Sequence, residues 1–188
     1  MSKIIYNMSM SLDGFVRASG NTADHPLGIG GERIHEWFFD PQNQEFVEKM
    51  LDSIGAVVTG RTTYNESDWG SDGPTGARRL PVFVVTHEAP TSLPSNGVYT
   101  FITGGIVEAV DAARDAARGK DVSLMGGPAV GNQAIAAGLV DEIVVSIVPV
   151  LFGEGLRMFS SLLRHIELER VSLMDTSAVT HIVYRVVK

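Results

Sequence analysis

The chain has 188 residues, 22 acidic against 15 basic side chains and a formal charge of −7, which argues against nucleic acid or an anionic membrane as its main partner. Cysteine is absent, which excludes disulfides, thiolate metal sites and a Cys nucleophile. With 44% hydrophobic and 20% charged residues the composition is globular, and the length suits one domain over 1–188.

The N-terminus, Met-Ser-Lys-Ile-Ile-Tyr, has no apolar run ending in a small-residue cleavage site, and no stretch approaches the ~20 apolar residues that span a bilayer, so a cytoplasmic protein is expected. Residues 3–11 alternate around Ile4, Tyr6, Met8 and Met10 and read as a strand. Ser11-Leu12-Asp13-Gly14 turns the chain, and Phe15-Val16-Arg17 resumes as a short strand. Asp13 beside Gly14 is either a turn residue whose carboxylate bonds nearby amides or a site residue. From Ala18 to Gly31 the composition shifts to Gly, Asn, Asp and Pro, a loop of roughly a dozen residues and long enough to be a functional lid. Its Gly28-Ile29-Gly30-Gly31 follows no strand and is flexible backbone, not a nucleotide fingerprint.

Gly31 to Phe39 predicts a short helix carrying Ile34, Trp37 and Phe38. His35-Glu36 begins like a zinc-protease helix but lacks the second histidine, and His25, His87, His165 and His181 show no ligand spacing, so no metal is expected. Asp40-Pro41 caps a second helix in which Phe46, Val47, Met50, Leu51 and Ile54 fall at helical spacing. Ala56-Val57-Val58-Thr59, bounded by glycines, is a buried strand leading into Gly60-Arg61-Thr62-Thr63-Tyr64. A glycine turn into a helix start that carries a guanidinium and two hydroxyls suits a phosphate; the alternative is an N-cap with a solvated arginine.

Residues 65–80 are polar and read as surface loop. Pro81 to His87 is a further buried strand, Pro90 to Gly97 a connector, and Val98 to Thr103 a strand followed by Gly104-Gly105. Ile106, Val107, Val110, Ala113 and Ala117 line one side of an amphipathic helix ending at Gly119. Val122 to Met125 is a short buried strand, Gly126-Gly127 a sharp turn, and Pro128 stands at the first position of a helix with Ala129 and Val130 behind it. Glycines permit φ > 0 and close approach of a ligand, and the free amides of that helix start form an anion site; the alternative is a tight strand-to-helix turn alone.

Asp141 to Phe152 is apolar on both faces, as a central strand is, with Pro149 breaking the ladder. Gly153-Glu154-Gly155 turns, and Leu156 to Leu163 reads as a short helix. Ile166 to Met174 and Val179 to Val187 close the chain as a hairpin. Its Ile182, Tyr184 and Val186 face offers an edge for a homodimer. The sum is an α/β fold: a mostly parallel sheet with helices on both faces and an antiparallel C-terminal hairpin. Three strand ends, 60–63, 86–87 and 126–130, carry glycine or small polar groups, and ligands of open α/β sheets sit beyond such ends. If neighbours, they surround one extended phosphorylated ligand.

Ser9-Met10-Ser11-Leu12-Asp13-Gly14, Val58 through Tyr64, Val82 through His87 and Gly126-Gly127-Pro128-Ala129-Val130 resemble, in order, the motifs of the dihydrofolate reductase-like fold. Within it the chain is most similar to the reductase domain of bacterial riboflavin biosynthesis, the RibD C-terminal family, and Gly138 to Glu142 with Pro149 to Gly153 extends the likeness over nearly the whole length. The resemblance implies a three-layer fold and an NADPH-dependent reductase acting on a small C=N or C=O substrate, with a pterin-like or pyrimidine-like ring among the choices. It implies that Gly60, Arg61 and Thr63 meet cofactor phosphates, Arg61 on the 2′-phosphate side, with Thr62 also among the cofactor-binding residues. Thr86 and His87 lie near the adenosine, and Gly126 to Val130 under the pyrophosphate. Two departures stand out. Dihydrofolate reductases proper place a carboxylate three residues before a Trp-Phe pair, where this chain has Ile34; and the riboflavin enzymes usually carry a zinc deaminase domain, for which this chain has no ligands. Asp13, His35 and Glu36 are the remaining proton-donor candidates, beside water. A nucleotide-binding regulator without turnover stays open as the alternative, and a purely structural domain as a third.

Overall fold

The computed structural model describes residues 2–92, 95, 97–160, 162 and 165–188. The first half supplies β1 (Ile4–Ser11), β2 (Phe15–Ala18), a 3-10 helix (Gly31–Phe39), α1 (Gln44–Ser53), β3 (Ile54–Gly60), α2 (Arg61–Glu66) and β4 (Val82–Val85). The second supplies β5 (Tyr99–Ile102), α3 (Ile106–Ala116), β6 (Asp121–Leu124), α4 (Pro128–Ala136), β7 (Glu142–Val148), β8 (Gly155–Arg157), β9 (Leu168–Asp175) and β10 (Thr180–Val186). Eight strands form one sheet in the order β5-β4-β3-β6-β1-β7-β10-β9. The six from β5 to β7 run parallel; β10 pairs antiparallel with β7, and β9 with β10. This is the α/β arrangement expected, and its sequence origin is plain: β3 and β7 are buried along almost their whole length because both faces carry apolar or small residues.

One face of the sheet, from Ile4, Tyr6, Ala56, Val58 and Leu124, packs under α3 and α4 through Ala109, Val110, Ala113, Val130, Ala134 and Ile135. The opposite face is covered by the 3-10 helix and α1 around Trp37, Val47 and Val148. Farther along that face, Val57, Val82 and Val84 pack with Tyr64 and Phe101. On α3, Ala109 takes the buried position and Val107 is half exposed, a shift of the apolar stripe by one residue pair. Asp40 accepts the Gln42 amide at 2.9 Å and caps a 3-10 turn, Pro41–Asn43, that precedes α1, not α1 itself, and Ile54 belongs to β3 instead of that helix.

One expectation is corrected and another refined. Leu156–Leu163 is not a helix: Gly155–Arg157 is a strand, paired antiparallel with β2 in a separate two-stranded sheet, while Ser161 and Leu163 lie outside the described residues. The closing hairpin does end the sheet, but its free edge is β9, not the strand that carries Ile182, Tyr184 and Val186. β10 is an inner strand between β7 and β9, with Tyr184 and Val186 packed on the main core, and the edge strand is β9, exposed at seven of its eight residues. No helix of the described residues is long and apolar enough to cross a membrane.

Candidate functional site

The chain runs β3, β4, β5 outward to one edge and then returns across β3 to β6, so strand order reverses between β3 and β6. A crevice forms at the carboxyl ends of strands where order reverses. A cavity of about 820 Å³ lies there. It is walled by Gly60, Arg61, Thr62 and Thr63 from the end of β3 and the start of α2, by Thr86 and His87 after β4, and by Gly126, Gly127, Ala129 and Val130 between β6 and α4. Ten of the eleven residues predicted to surround one ligand therefore meet in one place. The eleventh, Pro128, is buried behind them as the first residue of α4.

The turn chemistry explains the close packing. Gly126 and Gly127 have φ of +74° and +71°, a backbone region that favours glycine. A Cβ on Gly126 would fall 2.3 Å from Thr63 Cγ2, and one on Gly60 3.1 Å from Val130 Cγ2. The missing side chains thus let the starts of α2 and α4 approach each other. Both helices begin on a glycine, Gly60 and Gly127, with no side-chain cap. Their first-turn amides are left for another acceptor. The Met125 amide donates to the Val58 carbonyl at 3.0 Å and holds the end of β6 against β3.

Arg61 is the guanidinium of the cavity wall. Its Nε donates to Asn65 Oδ1 at 2.9 Å, its Nη1 to the Glu88 carbonyl at 3.2 Å, and the group stands 5.8 and 5.6 Å from the ring centroids of Tyr64 and Phe101. Sequence reasoning missed Asn65, Glu88 to Thr91, Thr103, Gly105 and Gln133, which also line the cavity. Two of these had a signal: Asn65 is one helical turn from Arg61, and Gly105 closes a third strand–glycine–helix junction. The 88–91 segment had none, because only tertiary approach brings it to α2.

The three acid candidates do not join the cavity wall. Asp13 accepts the Ser11 hydroxyl at 2.5 Å and the backbone amides of Phe152 and Gly153 at 3.2 and 2.7 Å. The Ser11 hydrogen bond, with those amides, holds its carboxyl below the usual carboxylate range, so it ties the turn after β1 to the turn after β7 as an anion. His35 is exposed, and Glu36 pairs with Arg33 at 3.2 Å on the same helix. Ile34 is fully buried beneath that helix. Below it, the Trp37 indole donates to Ser9 Oγ at 2.9 Å. Ser146 Oγ lies 2.8 Å from His181 Nδ1, and Phe46 stacks on the His181 ring at 3.9 Å. Ser9, Ser146 and His181 are register neighbours across β1, β7 and β10, a polar row closed off from solvent. Among the described residues no cluster of three or more His, Cys, Asp or Glu could hold a metal.

Comparison with known proteins gives the family and the fold. The sequence pattern of the RibD C-terminal domain matches residues 2–182. The chain belongs to the RibD C-terminal domain family. A Bacillus subtilis (strain 168) member of the curated proteins, uncharacterized protein YyaP, is 27% identical over 192 aligned positions, covering 97% of this chain and 94% of that protein. Among solved structures, a putative riboflavin biosynthesis protein from Shewanella sp. PV-4 superposes with a TM-score of 0.72 at 21% identity over the full length of both chains. A dihydrofolate reductase from Enterococcus faecalis, complexed with NADP(H) and RAB-propyl, superposes with a TM-score of 0.57 at 15% identity, covering 98% of this chain and 96% of that one. The RibD-family chain thus has the dihydrofolate reductase-like fold.

Proposed function

We propose that the protein is an NADPH-dependent reductase that transfers a hydride to a small C=N or C=O group. The observation that supports this most is the convergence of residues 60–63, 86–91 and 126–130, far apart in sequence, on one cavity at the strand-order switch. Two glycine-started helices offer unpaired amides and Arg61 offers a fixed cation, a donor set suited to a pyrophosphate carrying one further phosphate. NADPH, when bound, supplies the hydride. In this reading Gly126, Gly127 and the α4 start hold the pyrophosphate, Arg61 and Thr62 the 2′-phosphate, and His87 and Pro90 the adenosine.

Asp13, already an anion in a structural bridge, does not donate a proton here, and His35 and Glu36 lie off the cavity wall. Water is then the proton source that this reading assigns. That none of these three candidates lines the cavity favours a second reading, a regulator that binds the dinucleotide without turning it over.

Calorimetry with NADPH and NADH, followed by NADPH oxidation against a panel of carbonyl, imine, pterin and pyrimidine compounds, separates these. Arg61→Ala is expected to weaken NADPH about 10- to 100-fold, as loss of a charge-assisted phosphate contact does, and to leave NADH nearly unaffected. Binding with no oxidation across the panel favours the regulator. Absence of heat with either nucleotide contradicts both.

A further inference from the structure

We propose that Asn65 and Thr86 are positioning residues that hold Arg61 ready for a 2′-phosphate, so that the preference for the phosphorylated dinucleotide depends on two side chains besides the arginine. The inference rests on the cofactor reading above, adds Asn65, which the family motifs do not single out, and gives Thr86 a role through Arg61.

A free arginine side chain must give up rotamer freedom when it grips an anion, whereas one fixed beforehand does not. Arg61 is fixed on three sides. Asn65 Oδ1, one helical turn along α2, accepts its Nε–H at 2.9 Å. The Glu88 carbonyl accepts one Nη1 hydrogen at 3.2 Å. The Tyr64 and Phe101 rings flank the guanidinium at 5.8 and 5.6 Å, and themselves meet edge to face with centroids 5.0 Å apart. A guanidinium has five N–H donors, so two fixed hydrogens set its plane and leave the remainder of the fork for a ligand.

The Glu88 carbonyl owes its place to Thr86. The Thr86 hydroxyl donates to that carbonyl at 2.9 Å and accepts the Glu88 amide at 3.3 Å, while the Thr86 amide donates to Ile102 on β5 at 3.0 Å. The hydroxyl hydrogen of Thr86 is thereby committed within the protein. Thr86 stands at the cavity wall, where the resemblance puts it near the adenosine, and its hydroxyl is directed at the loop that clamps Arg61. Asn65 holds the same guanidinium from the opposite side. The two residues act through the arginine, on the one ligand group that distinguishes NADPH from NADH.

Dissociation constants for NADPH and NADH, measured by calorimetry on the unmodified protein and on Thr86→Val, Thr86→Ser, Asn65→Leu and Arg61→Ala, test this, with melting temperatures to verify folding. Thr86→Val and Asn65→Leu are each expected to weaken NADPH by about three- to tenfold with NADH unchanged, the loss of one orienting hydrogen bond. Thr86→Ser, which keeps the hydroxyl, is expected to restore the preference. In an Arg61→Ala background, Thr86→Val is expected to have no further effect, the signature of two residues acting as a unit. Equal weakening of both nucleotides by Thr86→Val, or an undiminished effect without Arg61, overturns the inference. NADPH preference unchanged in both single variants overturns it alone, whereas failure of the unmodified protein to bind NADPH overturns the cofactor reading with it.

Discussion

His181 is buried to 1% exposure between Phe46 and Trp37, and burial pushes its imidazole down to about 4 from an ordinary value of 6.5. Only one ring nitrogen, Nδ1, has a partner, the Ser146 hydroxyl; Nε2 has none within the described residues. The native state therefore holds this ring neutral. Between pH 6.5 and 4 the unfolded chain takes up a proton that the native chain refuses, so stability falls as pH drops through that window and levels off below it. The full effect is about 3 kcal/mol. Denaturant titrations at several pH values are expected to show that slope in the unmodified protein and to lose this share of it in His181→Leu. Identical slopes in the two would mean that the ring is already protonated, or solvated, in the native state. Asp13 contributes in the same direction at lower pH. Its folded value is depressed, so its bridge between the β1 and β7 turns is present above the ordinary carboxylate range and is lost as pH falls through the folded value.

The junction of α2 and α4 is the element on which the site depends. Gly126 combines φ of +74° with a virtual Cβ 2.3 Å from Thr63 Cγ2, so Gly126→Ala meets both backbone strain and a clash. It is expected to destabilise by roughly 1–3 kcal/mol and to push the two helix starts apart. Chemical denaturation measures the first effect and NADPH affinity the second; a variant as stable as the parent would show that the turn does not need glycine. This junction was legible in sequence because strand, glycine and helix start are local patterns. The place of Arg61 on the cavity wall was legible from the same junction, because it is the first residue of the helix that the glycine opens. β8 left no such trace. Its three residues take strand form only because β2, some 140 positions earlier, lies alongside, with the Arg157 guanidinium 4.5 Å from the Phe15 ring and hydrogen-bonded to the Asp13 carbonyl. The hairpin was legible as the end of the sheet, but not which of its strands lies outermost. Alternation in Ile182, Tyr184 and Val186 identifies a strand, but which hairpin partner sits inside is decided by pairing with β7, and β9 with its exposed Leu168, Val171 and Leu173 became the edge.

At the scale of the molecule, the sheet gathers its chemistry at one end by topology alone. Parallel strands β5, β4, β3 and β6 are neighbours and end on the same side, so four short loops that are distant in sequence become one wall. Fold and cavity followed from strand order, which the sequence motifs foreshadowed through their succession. The proton source did not, because Asp13, His35 and Glu36 are judged by what they touch, and those contacts arise only on folding. Hydrogen exchange on the full chain with saturating NADPH examines the convergence directly. Slowed exchange is predicted together at the amides of 61–63, 87–89 and 126–127 with 129–130, and not along the β9 edge at 168–175. Protection confined to one of these segments, or absent from all of them, would contradict a shared dinucleotide site.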